Sequence, residues 1–418
     1  MRRSIVLGLL LTLGCSNIPE PPGKSLQSNL QRIDASSAPA SLASVIDGNT
    51  QAALELHRAL IEGDENFVFS PWSITSVLGR AYAGSNGDTR TDLETFLRAP
   101  NAADYHRAMN HVQLALASRG RSSQGANGEP FALVNLNQLF VDPKLNIESS
   151  YLDLLQQEYS DGARQLDLSS KPANSTQKVN DWVSTATRGR IANLIAPEDI
   201  TDRTRLLVVN AMYFSAGWAS NFSESQTADA TFHGLAGDAQ TSMMRNMSFT
   251  ARELETTDLQ AIELNYSGGE LSMLIMMPKG DYRAWEASLS LGTLQTVRTD
   301  LEGKLVDLSM PKFETRSKRD LRPPLEQRGL AKLFDAEKAD FSGISSTEKL
   351  YLQFLRHEAW IDVSESGTRA AAATVGGFAS PPSAPPQPKR VILDRPFFYV
   401  IQDNATKAVL FAGRFVKP

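Results

Sequence analysis

The chain has a single cysteine, Cys15, in 418 residues, so an intramolecular disulfide, a CxxC redox pair and a cysteine-rich zinc site are excluded by counting. Positive charge is not in excess: 42 Lys and Arg face 47 Asp and Glu, a net of −5, which argues against nucleic acid as a partner. Enzyme signatures are missing too. There is no G-x-S-x-G elbow, no Walker loop and no G-x-G-x-x-G. His357-Glu358 does not extend to a zinc-protease motif, because Ile361 stands where the second histidine would be. The five histidines, His57, His106, His111, His233 and His357, show no spacing that favours a Ser-His-Asp triad. The expectation is a protein that is not an enzyme and needs no metal or cofactor.

Long hydrophobic runs are also scarce. The one at the start, residues 5–13, follows the basic Met1-Arg2-Arg3 and ends at Gly14-Cys15. At about 1.5 Å per residue it spans about half a bilayer core, so it reads as an export signal over residues 1–15 rather than a permanent membrane helix. Leu11-Thr12-Leu13-Gly14-Cys15 resembles a bacterial lipobox, with Thr12 and Leu13 departing from the usual residues. Acylation of Cys15 would anchor the protein to a membrane as a surface or periplasmic lipoprotein. The alternative is ordinary secretion to the extracellular space. Residues 16–43, rich in Ser, Pro, Asn and Ala, read as a flexible tether, and the folded unit is expected over residues 44–418.

Within that unit the length allows two domains or one large one. Apolar residues recur at helical spacing over 46–61, 73–82 and 181–195. Strand patterns cover 131–141, 205–214, 271–277 and 304–310. The second and third of these strands are apolar on both faces, as in a sheet covered on both sides. No fixed-period repeat is present. Helices lead and strands follow, which predicts an α+β protein.

The unusual region is residues 365–396. Small residues fill its first half, from Glu365 through the alanines 370–373, and prolines its second, with five in the nine residues 380–388. The first half can pair in a sheet and the second cannot. Strand alternation from Thr368 puts Thr368, Ala370, Ala372, Thr374, Gly376 and Phe378 on one face and Arg369 on the other. Inserted into a sheet, the segment would present a small, uncharged inner face and turn its one charge to water.

Here the chain resembles the serpin family, from about residue 66 to the end. The likeness rests on Asn66-Phe-Val-Phe-Ser-Pro71 with Ser73-Ile74, Asn210-Ala-Met-Tyr-Phe214 with Gly217-Trp218 and Phe222, and Met310-Pro-Lys-Phe313. It continues through Ala339-Asp-Phe-Ser-Gly-Ile344, His357, Glu365 with Gly367-Thr368, Asp394-Arg-Pro-Phe397, and Leu410-Phe411 with Gly413. The resemblance implies a single large domain with three β-sheets, about nine helices and an exposed reactive-centre loop at about 365–390. It further implies a monomeric inhibitor of serine endopeptidases that acts as a suicide substrate: the loop is cut and its front half inserts into the main sheet. Glu365, Gly367, Thr368, Ala370, Ala371, Ala372 and Ala373 match the hinge of such loops. Ser70, Ser73, Asn210 and His357 match the polar cluster under the sheet opening, the shutter, and Trp218 the breach at its top.

The family's usual hinge length puts the attacked bond at Pro381-Pro382, which few proteases cut. A shorter register gives Ala379-Ser380, the preferred reading, or Phe378-Ala379, and a longer one Ser383-Ala384. These favour an elastase-like, chymotrypsin-like or subtilisin-like target over a trypsin-like one. A non-inhibitory serpin, acting as a protease substrate or binding protein, is the alternative: the alanine run argues against it and Pro381 for it.

Overall fold

A computed structural model describes residues 18–121, 123, 125, 126, 130–160, 162–365 and 387–418. Its α-helices are α1 (Leu42–Ala59), α2 (Pro71–Ala83), α3 (Gly87–Leu97), α4 (Ala102–Ala117), α5 (Ser149–Leu154), α6 (Pro172–Ala186), α7 (Tyr282–Ser288), α8 (Leu291–Asp300) and α9 (Arg322–Leu325). The strands are β1 (Lys24–Leu26), β2 (Phe67–Phe69), β3 (Ala132–Val141), β4 (Ala163–Gln165), β5 (Leu206–Ser215), β6 (Ala228–Gly234), β7 (Gly237–Glu255) and β8 (Leu259–Asn265). They continue with β9 (Leu271–Pro278), β10 (Glu302–Pro311), β11 (Phe313–Asp320), β12 (Arg356–Val363), β13 (Lys389–Ile392), β14 (Phe397–Asp403) and β15 (Val409–Phe415).

The α+β reading holds, with nine α-helices among the described residues. The expected three sheets form two continuous hydrogen-bonded ladders. The main sheet runs β1-β4-β3-β5-β12-β11, and the other runs β13-β10-β7-β8-β9-β14-β15-β2 with β6 paired to β7. The second ladder stays continuous because β7 is nineteen residues long: its start pairs with β6, its middle with β10 and its end with β8.

Helix α2 is built to be central. Pro71 fills its first turn, where a missing N–H costs nothing, and the Ser70 side chain accepts the Ser73 N–H as an N-cap. Ile74, Val77, Leu78 and Tyr82 are all buried. Alternation along β5 then makes two layers. Val209, Ala211 and Tyr213 face outward and pack with Val179, Trp182 and Val183 of α6, while Met212 and Phe214 face the main core. This explains why the β5 run is apolar on both faces; β9 is buried at all eight positions, within the main core.

Two expectations are corrected. The helix expected at 181–195 is α6, which begins at Pro172 and stops at Ala186, since Arg188 and Gly189 take positive φ. Its polar first turns hid the start from a reading that followed the apolar Trp182 and Val183. The tether expected at 16–43 is also not free over its described part: β1 adds a strand to the edge of the main sheet through β4. Short polar sequence carries no periodicity, so this pairing has no local signal.

Candidate functional site

Between the long strands of the main sheet one pairing is short. β3 and β5 pair over ten residues and β11 and β12 over eight, but β5 and β12 meet only at Ala211–Glu358, Met212–Ala359 and Tyr213–Trp360, and they run parallel. A strand that turns back after β12 is antiparallel to β12, and therefore to β5 as well, so it can ladder with both. The chain does leave β12 at this end, through Ser364 and Glu365.

A buried polar cluster bridges the seam from below. The Ser70 N–H donates to His357 Nε2 at 2.9 Å, so the proton of the neutral ring sits on Nδ1, which faces Asn210 Oδ1 at 3.2 Å. Asn210 Nδ2 in turn donates to the Ser73 carbonyl at 3.0 Å and to Asn137 Oδ1 at 2.7 Å. One network thus joins the α2 N-terminus to β3, β5 and β12. Burial pushes the His357 pKa down to about 3, so the ring is uncharged at neutral pH.

At the top, Trp218 lies stacked on Tyr266, centroids 4.6 Å apart, and its Nε1 donates to the Ser364 carbonyl at 3.0 Å. Glu365 is buried and held on two sides, by Lys312 Nζ at 2.9 Å and by Thr227 Oγ1 at 2.8 Å. Burial alone would raise its pKa, but the Lys312 ammonium and the Thr227 hydroxyl outweigh that and hold the carboxyl below its ordinary range. The expected result of Lys312→Met is release of this end of the strand, leaving a buried carboxylate without its cation at a cost of about 1–3 kcal/mol. Amide exchange at Val363, Ser364 and Glu365 should accelerate about tenfold or more; unchanged exchange would mean that Thr227 and Trp218 suffice.

The structure therefore brings together Ser70, Ser73, Asn210 and His357 in one cluster, and Trp218 with Glu365 in another. Gly367, Thr368, Ala370, Ala371, Ala372 and Ala373 lie outside the described residues, as do Phe378, Ala379, Ser380, Pro381, Pro382, Ser383 and Cys15. Sequence reasoning missed Asn137, Lys312 and Thr227. Lys312 stands inside the quoted Met310-Pro-Lys-Phe313, so it was visible but without an assigned partner; Asn137 and Thr227 had no signal of their own.

Comparison with known proteins gives a family model described as "Serpin (serine protease inhibitor)" that matches residues 47–418. The chain belongs to the serpin family. It is 33% identical over 377 residues to an uncharacterized serpin-like protein of Thermococcus kodakarensis, covering 90% of this chain and 86% of that one. It is 31% identical to the leukocyte elastase inhibitor A of Mus musculus, over 88% of this chain and 98% of the relative. Among solved serpins it resembles native protease nexin-1 crystallised with heparin, with a TM-score of 0.77 at 28% identity over 90% of this chain and 100% of that one. A tumour suppressing serpin superimposes with a TM-score of 0.80 at 25% identity, over 90% and 100% of the two chains. Serpins are in general protease inhibitors and not enzymes.

Proposed function

We propose that this serpin is an inhibitory one, a suicide substrate for serine endopeptidases whose cut loop enters the β5–β12 seam. The observation that carries the reading is the seam itself: two parallel strands with three paired residues between them, directly beside the point where the loop begins. About ten new ladder hydrogen bonds at a net 0.5–1.5 kcal/mol each would supply roughly 5–15 kcal/mol, comparable with the stability of a whole domain. The small inner face of 368–378 suits such a passage. Glu365, Gly367, Thr368 and the alanines act as hinge, the Ser70, Ser73, Asn210 and His357 cluster as the seam's lock, and Trp218 as its upper end.

The target class is elastase-like, chymotrypsin-like or subtilisin-like, cutting at Ala379-Ser380 in preference to Phe378-Ala379, Pro381-Pro382 or Ser383-Ala384. The basic start, the short apolar run and Cys15 support export and lipid anchoring. The test is incubation of the purified protein with proteases of each class, followed by a denaturing gel and mass spectrometry. A complex that survives denaturant, with a fragment released from the loop, is the expected outcome and identifies the bond. Loop cleavage without a complex in every class would favour the non-inhibitory reading, to which the Pro381-Pro382 pair points.

A further inference from the structure

The stretch before α1 touches four elements in turn. The Ala35 carbonyl meets His111 Nδ1 of α4 at 2.7 Å, and Arg32 Nε donates to Asn110 Oδ1 of the same helix at 2.8 Å. Asn110 Nδ2 returns a bond to the Ile33 carbonyl at 3.0 Å, and the Ile33 N–H donates to the carbonyl of Gln157, just past α5, at 2.9 Å. β1 then pairs antiparallel with β4, residue for residue. Finally Glu20 meets Arg164 at 2.7 Å, and Trp182 of α6 donates its indole N–H to the Pro19 carbonyl at 2.8 Å. Two glycines are shaped for this contact. Gly23 takes φ +97, and a Cβ there would overlap the Gln165 carbonyl oxygen; across the interface, a Cβ on Gly162 would overlap the Leu26 carbonyl oxygen. A chance contact does not require a bare backbone on both sides.

We propose that residues 19–35 are a strap that restrains the parting of β5 from β12. The seam divides the main sheet into β1, β4, β3 and β5 on one side and β12 and β11 on the other. Admitting a strand requires the two sides to separate by about 4.8 Å, one strand spacing. The strap holds β4 and α6, which belong to the first side, against α4 and the end of α5. Helix α4 rests on α2, with Tyr105 and His106 against Tyr82, and α2 is bonded both to Asn210 of β5 on the first side and to His357 of β12 on the second. An opening in which α2 stays with β12 and leaves Asn210 strains the strap, and along that route the strap's bonds add to the barrier. This inference rests on the inserting-sheet reading but does not need the protein to trap a protease.

The experiment uses Gly23→Val, which excludes the strap from the outside without altering the seam. The probe is a labelled synthetic peptide with the sequence of residues 366–379, and its incorporation is followed on native gels with no protease present. Uptake should run about tenfold faster in the variant than in the unaltered protein, the effect of losing a few net hydrogen bonds. A second protein, Lys24→Cys with Gln165→Cys in a Cys15→Ser background, links paired residues of β1 and β4. Oxidised, it should take up peptide no faster than the unaltered protein. Equal rates in Gly23→Val and unaltered protein, uptake by neither, or acceleration in the oxidised double variant would each overturn the strap. A protein that accelerates as expected yet forms no protease complex would keep the strap and lose the inhibitor reading; the reverse result would separate them the other way.

Discussion

Thr368→Arg should turn the proposed trap into a plain substrate: the loop is cut, no denaturant-resistant complex accumulates, and the cut form gains no thermal stability. The inner side of the seam at this level is formed by Met212 and Phe214 of β5 and by Ala359, Ile361 and Val363 of β12, all buried. Thr368 is the first residue of the loop whose alternation turns it onto that face. A guanidinium placed there has no carboxylate to meet, and burying it unpaired costs several kcal/mol, a large share of the roughly 5–15 kcal/mol the new ladder would supply. In the proposed insertion this position enters first, so the penalty falls before any later bond has formed. The measurement is the ratio of complex to cleaved protein on a denaturing gel. Undiminished complex formation by Thr368→Arg would refute insertion from this hinge.

The neighbouring residue supplies the control. With Thr368 turned inward, a tight reversal after Ser364 sets residue 368 opposite Val363 and residue 369 opposite Asp362, on the outer face. Burial, followed by the nearby Glu314 carboxylate, holds the Asp362 carboxyl above its ordinary range. Arg369 is thus an unusual residue for a hinge but a suited one here, because insertion in the proposed register would set its guanidinium opposite the Asp362 carboxyl on the outer face rather than in the core. The same substitution one position along, a charge at 369 in place of 368, is tolerated for a reason that strand alternation alone provides.

How far the sequence speaks depends on whether a feature is local. Strands β5 and β9 could be read from their largely apolar runs, interrupted only by Asn210 and Ser272 before their ends, and α2 from Ser70-Pro71 followed by Ile74, Val77 and Leu78, because each pattern is caused by the burial it reports. The motif residues Asn210 and His357 were likewise legible, though their shared network exists only through the fold. The strap was not legible: Ser, Pro and Asn over residues 16–43 describe a chain that cannot build a core of its own, and its order comes from the free edge of β4 and from Asn110 and Trp182, far away in sequence. Lys312 and Thr227 escaped for the same reason, since each matters only where Glu365 happens to arrive.

Acid should destabilise this protein steeply well above the range where most carboxylates titrate. Burial lowers the pKa of His357 to about 3, and that of His106, buried beside Tyr159 at 2.7 Å, also to about 3; for His106 the Arg90 and Arg80 charges act in the same direction. Unfolded, both would take a proton near pH 6.5. The unfolded chain therefore binds more protons than the native one between pH 6.5 and about 3, so the stability present above pH 6.5 is lost as pH falls. Two such groups cost about 2.7 kcal/mol per pH unit, or about 4 kcal/mol between pH 6.5 and pH 5. Carboxyls whose folded pKa is lowered, such as Glu365, lose stability in the same direction but below their unfolded value of 4.5. Urea midpoints measured from pH 7 to pH 5 should reveal the slope, to which His57, also lowered by burial, adds in the same direction, and His106→Gln should remove one group's share, about 1.4 kcal/mol per pH unit; a flat profile would exclude neutral buried imidazoles at these sites. The two histidines differ in what their protonation opens. His106 sits between α4 and α2, whereas His357 carries the bond from Ser70 across the seam. A protonated His357 cannot accept the Ser70 N–H, so the proton competes directly with the contact that holds β12 to α2. Any state with the seam parted and His357 wet binds a proton that the closed state refuses, and mild acid must then favour that state over the closed one. Uptake of the 366–379 peptide should accordingly speed up between pH 6.5 and pH 5, by up to about tenfold for each pH unit through one linked proton, and the His106→Gln protein should keep that acceleration.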